Sequence, residues 1–247
     1  MHISIVAEKI FEIGGWPVTN SLLLALVAFA VLTTFALILR RQVAMVPGKL
    51  QGIFESALEE LLGLMDSLLG LRSVSERYLP LIATIFLFVM TSNWLGLLPG
   101  VGSVGLTEYE HGEKVFIPLF RGPAADLNFT IALAIISIVS VNVLGVLAIG
   151  FWKHLSKFFT LKSPIYTFVG LLEFISEFVK IISFSFRLFG NVFAGEVLLT
   201  IIAVLAPYIV PLPFLFLEVF VGFIQAFIFS MLTLVFIAMA VREESAH

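Results

Sequence analysis

The segment EFISEFVKIISFSFRLFGNVFAGE, residues 173 to 196, decides the fold of this chain. It is apolar enough to lie in a bilayer, yet five of its side chains are charged. These are Glu173, Glu177, Lys180, Arg187 and Glu196. An arginine or lysine at the centre of a membrane helix costs about 2.5–3.5 kcal/mol to insert, so charges at that depth indicate an ion path or a neutralising partner.

A polar stripe follows one face of this segment when it is drawn as a helix with about 100° per residue. The stripe consists of Ser176, Lys180, Ser183, Arg187 and Asn191, with Glu173 close beside it. Arg187 keeps its proton at physiological pH, so it is a fixed positive charge and a poor proton relay. The alternative is that Arg187 pairs with Glu177 or Glu218 and only holds its own bundle together.

The composition is that of an integral membrane protein. Of the 247 residues, 60% are hydrophobic and 13% are charged, whereas soluble domains are about half apolar and about a quarter charged. The mean hydropathy is +1.11. A net charge of −3 argues against a nucleic-acid partner. The absence of cysteine excludes disulfides, zinc–thiolate sites and cysteine nucleophiles.

The hydropathy pattern predicts an all-α membrane protein, a single polytopic domain over residues 1–247 with five membrane-crossing helices. After the first crossing, apolar residues recur at i, i+3, i+4 and i+7, which indicates an amphipathic helix at the interface or against another protein. The last two helices are long and form an antiparallel hairpin. The predicted segments are helix 1 at 18–40, an interfacial amphipathic helix at 47–76, helix 2 at 78–98, an external loop at 99–125, helix 3 at 126–151, a long tilted helix at 164–207 and the last helix at 213–241.

The distribution of lysine and arginine predicts the orientation. Most of these residues fall in the connections on one side of the membrane, which marks that side as cytoplasmic. With five crossings, the N-terminus then lies outside and the C-terminus lies in the cytoplasm. No transit peptide precedes the first span, so we expect the inner (plasma) membrane of a bacterium.

The sequence contains no catalytic or metal-binding motif. Its four histidines have no ligand spacing to one another. It has neither a Walker lysine motif, nor a zincin histidine pair, nor a nucleophile elbow. We therefore expect a non-catalytic chain with no cofactor and no metal.

Two carboxylates mark a candidate proton path toward the outer face. Glu196 follows Arg187 on the outward-running helix and Glu218 begins the returning helix, so the hairpin brings them to similar depth. Two carboxylates in a low dielectric cannot both ionise easily, so such a pair can hold and pass a proton. The alternative is a shared hydrogen bond that only ties the two helices together. Gln225 is expected across from Arg187, as a hydrogen-bond partner or as a tie between helices.

Polar residues on the inner half of the same helix indicate a second aqueous path. Either Glu173, Glu177, Lys180 and Ser183 line that path, or they form the solvated end of an amphipathic helix. Two half-paths separated by a fixed cation make no continuous pore, so a proton must ride between them on a mobile carboxylate that this chain lacks. A self-contained transporter would need internal repeats, and a membrane scaffold would not need the polar stripe.

Four motifs resemble the signature of the ATP synthase subunit a family, the stator membrane subunit beside a rotating c-ring. They are SFSFRLFGNVFAGE at 183–196, QAFIFSMLT at 225–233, NWLGLLP at 93–99 and DLNFT at 126–130. The resemblance implies proton translocation through two offset half-channels at the c-ring interface, coupled to rotation and ATP synthesis. It also implies peripheral-stalk b-type subunits and the rest of the F-type ATP synthase as partners.

The resemblance further implies roles for individual residues. Arg187 would meet the rotor carboxylate and block a proton short circuit. The implied path residues are Asn191, Glu196 and Gln225, with Glu173, Lys180 and Ser183 toward the cytoplasmic half-channel. Some relatives carry a histidine at the position of Glu218, so in this chain two glutamates would form the outer entrance.

Overall fold

The computed structural model describes residues 7–44, 48–110, 113–156 and 164–242. Its helices are α1 (Asn20–Gln42), α2 (Lys49–Leu69), α3 (Arg72–Gly96), α4 (Leu127–Ile149), α5 (Phe151–Ser156), α6 (Pro164–Leu205) and α7 (Pro211–Arg242). Its strands are β1 (Lys9–Ile13), β2 (Trp16–Thr19), β3 (Pro99–Gly102), β4 (Gly105–Glu110) and β5 (Glu113–Pro118), and a 3₁₀ turn covers Pro123–Ala125.

Five helices in the described ranges are long and apolar enough to cross a membrane, namely α1, α3, α4, α6 and α7. This confirms the predicted all-α membrane fold. Helix α6 continues without a break for 42 residues, or about 60 Å at 1.5 Å per residue. That length is about twice the hydrocarbon thickness of a bilayer, so α6 fits a membrane only when strongly tilted or when one end projects into water. Four helices begin and end within two residues of the predicted bounds 18–40, 126–151, 164–207 and 213–241.

The amphipathic helix α2 is not among the five apolar spans, and it ends before the predicted bound. Gly70 stops it by adopting a left-handed conformation (φ 83°) while its N–H donates to the Asp66 carbonyl at 2.8 Å. The predicted segment 47–76 is therefore divided, because its last residues begin α3. Leu61 and Met65 of α2 pack into one apolar cluster with side chains of α3 and α7. Part of the surface predicted to meet another protein is thus covered by this chain.

Two β-hairpins interrupt the all-helical pattern that the sequence predicts. In the first hairpin β1 pairs with β2, and Gly14 and Gly15 form the turn at φ 58° and 86°. Only glycine adopts such angles without a clash at Cβ, which is why a two-residue hairpin turn forms there. In the second hairpin β4 pairs with β5, from Gly105 opposite Pro118. This hairpin lies inside the segment 99–125, which the sequence predicts as a loop. The prediction missed it because its strands are too short to give a clear hydropathy pattern.

Helix α7 lies at the centre of the bundle. It packs against α3, α4 and α6, and half of its most apolar window is buried, against 11% for α6. Ser137 of α4 and Thr233 of α7 hydrogen-bond at 2.7 Å, while the Asn93 amide of α3 donates to the Gly222 carbonyl of α7 at 2.9 Å. Helix α6 therefore rests on the bundle along one side and leaves its other side open.

Candidate functional site

Arg187 lies on the open side of α6. Its neighbours Phe184 and Leu188 are buried toward the bundle, while the Arg187 side chain is exposed. Gln225 of α7, only 8% exposed, lines the same shallow pocket as these three residues, together with Phe229. The structure therefore brings Gln225 across from Arg187.

The polar stripe is exposed on both sides of Arg187. Ser183 and Asn191, one helical turn away in each direction, are exposed, and the Asn191 amide donates to the Arg187 carbonyl at 2.9 Å. A Cβ built on the exposed Gly190 would meet nothing within 4 Å. Large exposed apolar side chains border the stripe, among them Val179, Ile182 and Phe186. The open face is thus a polar strip with apolar margins, and small residues at such a strip let a second helix approach closely.

Neither carboxylate suggested as an internal partner neutralises Arg187. Glu177 pairs with Lys180, with 2.7 Å between Oε1 and Nζ. Glu218 packs its carboxyl against Gly195. Within the described part of the chain, Arg187 and Glu218 form no ion pair with any residue. A fixed cation on an open apolar face calls for a counter-charge from outside the chain.

Glu218 of α7 packs against α6 at Gly195, the residue before Glu196. The Glu218 side chain is 7% exposed, and a Cβ on Gly195 would overlap its carboxyl group, so only glycine permits this contact. Glu196 is the next residue along α6, and its Oε2 lies 3.8 Å from Nε of Arg121. The Glu196 side chain is 44% exposed and the Arg121 side chain 9%. The buried Arg121 guanidinium therefore neighbours Glu196, while Glu218 contacts α6 at the preceding residue.

Arg121 was not identified by the sequence analysis. It lies between β5 and α4, and its Nη2 donates to the Ala125 carbonyl at 3.3 Å. Close by, Asp126 caps α4 by accepting a hydrogen bond from the N–H of Asn128 at 3.0 Å. The same carboxylate accepts a second bond, from the hydroxyl of Ser21 in α1 at 2.5 Å. An arginine on the short connection that leads to the capping aspartate is the signal that could have marked this residue.

The predicted polar residues on the inner half of α6 separate into two groups. Glu177 and Lys180 are half-buried and paired, and Lys180 Nζ lies 4.8 Å from the centre of the Phe236 ring. Glu173 and Ser183 are exposed, and neither bonds to another side chain in the described ranges. The structure thus gathers only part of the predicted inner group.

Two residues that the sequence analysis did not single out join Glu177. The Asn142 amide of α4 donates to Glu177 Oε2 at 3.2 Å, and His154 Nε2 of α5 lies 3.0 Å from Asn142 Oδ1. An asparagine in an otherwise apolar span was the available signal. In the residues that the structure describes, no group of three or more histidine, aspartate or glutamate side chains is arranged to hold a metal ion.

Comparison with known proteins agrees with the motif resemblance. The family model described as ATP synthase A chain matches residues 21–238. Proteins named ATP synthase subunit a from Mycobacterium ulcerans and Campylobacter jejuni are each 36% identical to this chain, over 234 and 228 residues. These alignments cover 93% and 91% of this chain and 89% of each relative. The protein of that name from Moorella thermoacetica is 31% identical over 230 residues, which cover 93% of this chain and 94% of the relative.

The match spans all five apolar helices and every predicted site residue, so it concerns the site as well as the fold. This chain therefore belongs to the ATP synthase A chain family, the membrane subunit a of the proton-translocating FO sector.

Proposed function

We propose that this chain conducts protons through two offset half-channels at the interface with a rotating c-ring, and so couples proton flow to rotation and ATP synthesis. The observation that carries the proposal is the exposed guanidinium of Arg187 on the open face of α6. A cation at membrane depth is expensive unless it is neutralised. A carboxylate on a passing rotor helix would supply the counter-charge.

The outer half-channel would use Glu196 and Glu218. Glu218 packs against Gly195, the residue before Glu196, which supports this assignment. Asn191 and Gln225 would lie between this entrance and Arg187, since both are close to that residue in the structure. A proton would pass from the outer water through the two carboxylates to the rotor. The neutralised rotor carboxylate could then move away from Arg187 into the apolar membrane.

The inner half-channel would use Lys180, Ser183 and Glu173 on the first half of α6. A rotor carboxylate arriving near Arg187 would be held ionised by the guanidinium, so its proton would leave through this inner path. Each proton that crosses delivers about 2.3 kcal/mol per 100 mV. Arg187 would prevent direct passage between the half-channels, which would waste that energy.

The proposal includes the setting of the chain. It would lie in the inner membrane of a bacterium, with its N-terminus outside and its C-terminus in the cytoplasm, and ATP chemistry would belong to other subunits. The stalk b-type subunits would pack on the large apolar residues of α2 that remain exposed, Leu50, Ile53 and Leu64.

Replacing Arg187 by alanine tests the proposal in membranes that contain the assembled complex. We expect Arg187→Ala to abolish ATP-driven proton pumping, while the ATPase activity of the released soluble head is unchanged. Arg77→Ala is the matched control, because Arg77 is an exposed arginine on α3 that forms no ion pair among the described residues. Normal pumping by the Arg187→Ala membranes would refute the proposal.

Cross-linking tests the partner independently, because the chain has no cysteine of its own. A cysteine at the exposed Asn191 should cross-link to a cysteine on the rotor helix, in Asn191→Cys complexes. The control Leu188→Cys lies on the same helix but points into the bundle, where the side chain is buried, and should not cross-link. Equal cross-linking at both positions, or none at Asn191→Cys, would contradict a rotor on the open face.

A further inference from the structure

A buried histidine joins the inner end of the site through a chain of hydrogen bonds. Gly150 ends α4 at φ 88°, and the turn directs α5 back along α4, so that His154 becomes buried. Gly145 of α4 makes room for the ring, because a Cβ there would lie 3.0 Å from His154 Cε1 and 3.3 Å from Ala240 Cβ. The ring is therefore fitted between α4 and α7.

The bonds of Asn142 show which atom donates at each step of this hydrogen-bond chain. Its Nδ2 donates to the Ile138 carbonyl at 3.0 Å and to Glu177 Oε2 at 3.2 Å. Its Oδ1 is then the acceptor toward His154, so the ring nitrogen Nε2, 3.0 Å away, carries a hydrogen and donates it. The other carboxylate oxygen of Glu177 accepts from Lys180 at 2.7 Å. Glu177 is thus held at both oxygens, by α4 and by its own helix.

Glu177 differs in this respect from the other carboxylate on the inner half of α6. Glu173 is exposed and bonds to no other described side chain. Of the helices around the cluster, α6 supplies the charged groups Glu177 and Lys180, and α5 supplies the titratable His154. The residues that α4 and α7 place against it, Asn142, Gly145 and Ala240, carry no charge. Of these two carboxylates, Glu177 is the one that side chains of the described residues hold in a fixed orientation.

We propose that His154 is a positioning residue for proton exchange on the inner side. Through Asn142 it holds the Glu177 carboxylate in the orientation in which that group accepts protons from cytoplasmic water and returns them. The inference rests on the proposed function, because it assigns residues to the inner half-channel. The step is a simple transfer, in which a proton leaves hydronium or buffer and binds one Glu177 oxygen.

The test uses inverted membrane vesicles, in which the cytoplasmic face meets the assay buffer. ATP-driven pumping is followed at external pH values from about 6 to about 9. We expect His154→Leu to slow pumping about fivefold at alkaline pH, the population change that loss of one hydrogen bond brings. At acidic pH protons are plentiful, so the rate should stay within about twofold of the parent chain. His154→Gln should restore the parent profile, because its amide N–H can reach Asn142 Oδ1.

Two further variants separate positioning from general damage. Gly145→Ala displaces the ring without removing it and should reproduce the alkaline loss. Trp152→Leu changes a residue of α5 that is 80% exposed and should leave the profile unchanged. The content of assembled complex and the ATPase activity of the released head are measured for each variant.

Several outcomes would overturn the inference. They are a parent-like profile in His154→Leu or Gly145→Ala, an equal loss at all pH values, and failure of His154→Gln to restore pumping. Failure of this inference about His154 can be distinguished from failure of the proposed function. If Arg187→Ala abolishes pumping and His154→Leu has the parent profile, only the role of His154 is refuted.

Discussion

Replacing Gly195 by alanine tests how closely α6 and α7 approach at the outer carboxylates. The added methyl group would overlap the Glu218 carboxyl, which is buried and has little room to withdraw. Overpacking of this kind costs about 1–3 kcal/mol. Alanine offsets part of that loss, because it favours the helical state over glycine by about 0.8–1 kcal/mol.

Gly190 provides a matched control on the same helix. A Cβ there meets nothing within 4 Å, so Gly190→Ala keeps the gain in helix propensity without the overlap. The two variants should therefore differ by about 1–3 kcal/mol in the free energy of unfolding. For a chain of this size each kcal/mol shifts the melting temperature by about 2–4 °C. Gly195→Ala should thus melt about 2–12 °C below Gly190→Ala.

The assay is thermal unfolding of the detergent-solubilised protein, followed by circular dichroism. A double variant, Gly195→Ala with Glu218→Ala, removes the group that the methyl would meet and should melt no lower than Glu218→Ala alone. Equal melting temperatures of Gly195→Ala and Gly190→Ala would refute the reasoning, because they would show that Glu218 moves aside without cost.

Three further outcomes are expected from thermal unfolding of single variants. Ser21→Ala removes the hydroxyl that donates to Asp126 at 2.5 Å and should lower stability by about 1–3 kcal/mol, since it leaves a buried carboxylate oxygen short of one donor; an unchanged melting temperature would contradict this. Thr233→Val removes the 2.7 Å bond to Ser137 and should cost about 1–3 kcal/mol, whereas Val at both positions should cost less than the sum of the single changes. The Ser75 hydroxyl and the Arg72 guanidinium hold the pKa of Asp66 below its ordinary value. The lowered pKa stabilises the folded chain above the pKa that Asp66 has when unfolded, and this stabilisation is lost as pH falls through the folded pKa. In Asp66→Asn the melting temperature should therefore fall less steeply as the pH is lowered into the acid range.

The membrane helices followed from the sequence because their apolar runs are long. The exposure of Arg187 also agrees with the stripe that helical periodicity indicated. A repeat of 3.6 residues places side chains on faces without knowledge of the neighbours. Periodicity could not predict which residues of other helices each side chain contacts. Glu177 meets Lys180 because the two lie three residues apart on α6, whereas its bond to Asn142 depends on how α4 packs against α6.

The features missed by the sequence analysis depend on contacts between distant segments or on single backbone angles. Arg121 reaches Glu196 from a connection far away in the chain, and His154 becomes buried only because the backbone turns at Gly150. The predicted 47–76 helix is divided at one residue, Gly70, which adopts a left-handed angle. Glycine permits such an angle but also fits inside a helix, so its presence in the sequence did not predict the break. Such features need the tertiary structure.

Helix α6 is supported on one flank, by α4, α7 and the 3₁₀ turn at Pro123–Ala125, and α4 is joined to α7 by the Ser137–Thr233 bond. Polar contacts fasten α6 to that side in both halves, from Asn142 to Glu177 and from Arg121 to Glu196, with apolar packing between them. A lateral load on the open flank would therefore pass from α6 through these contacts into the rest of the bundle.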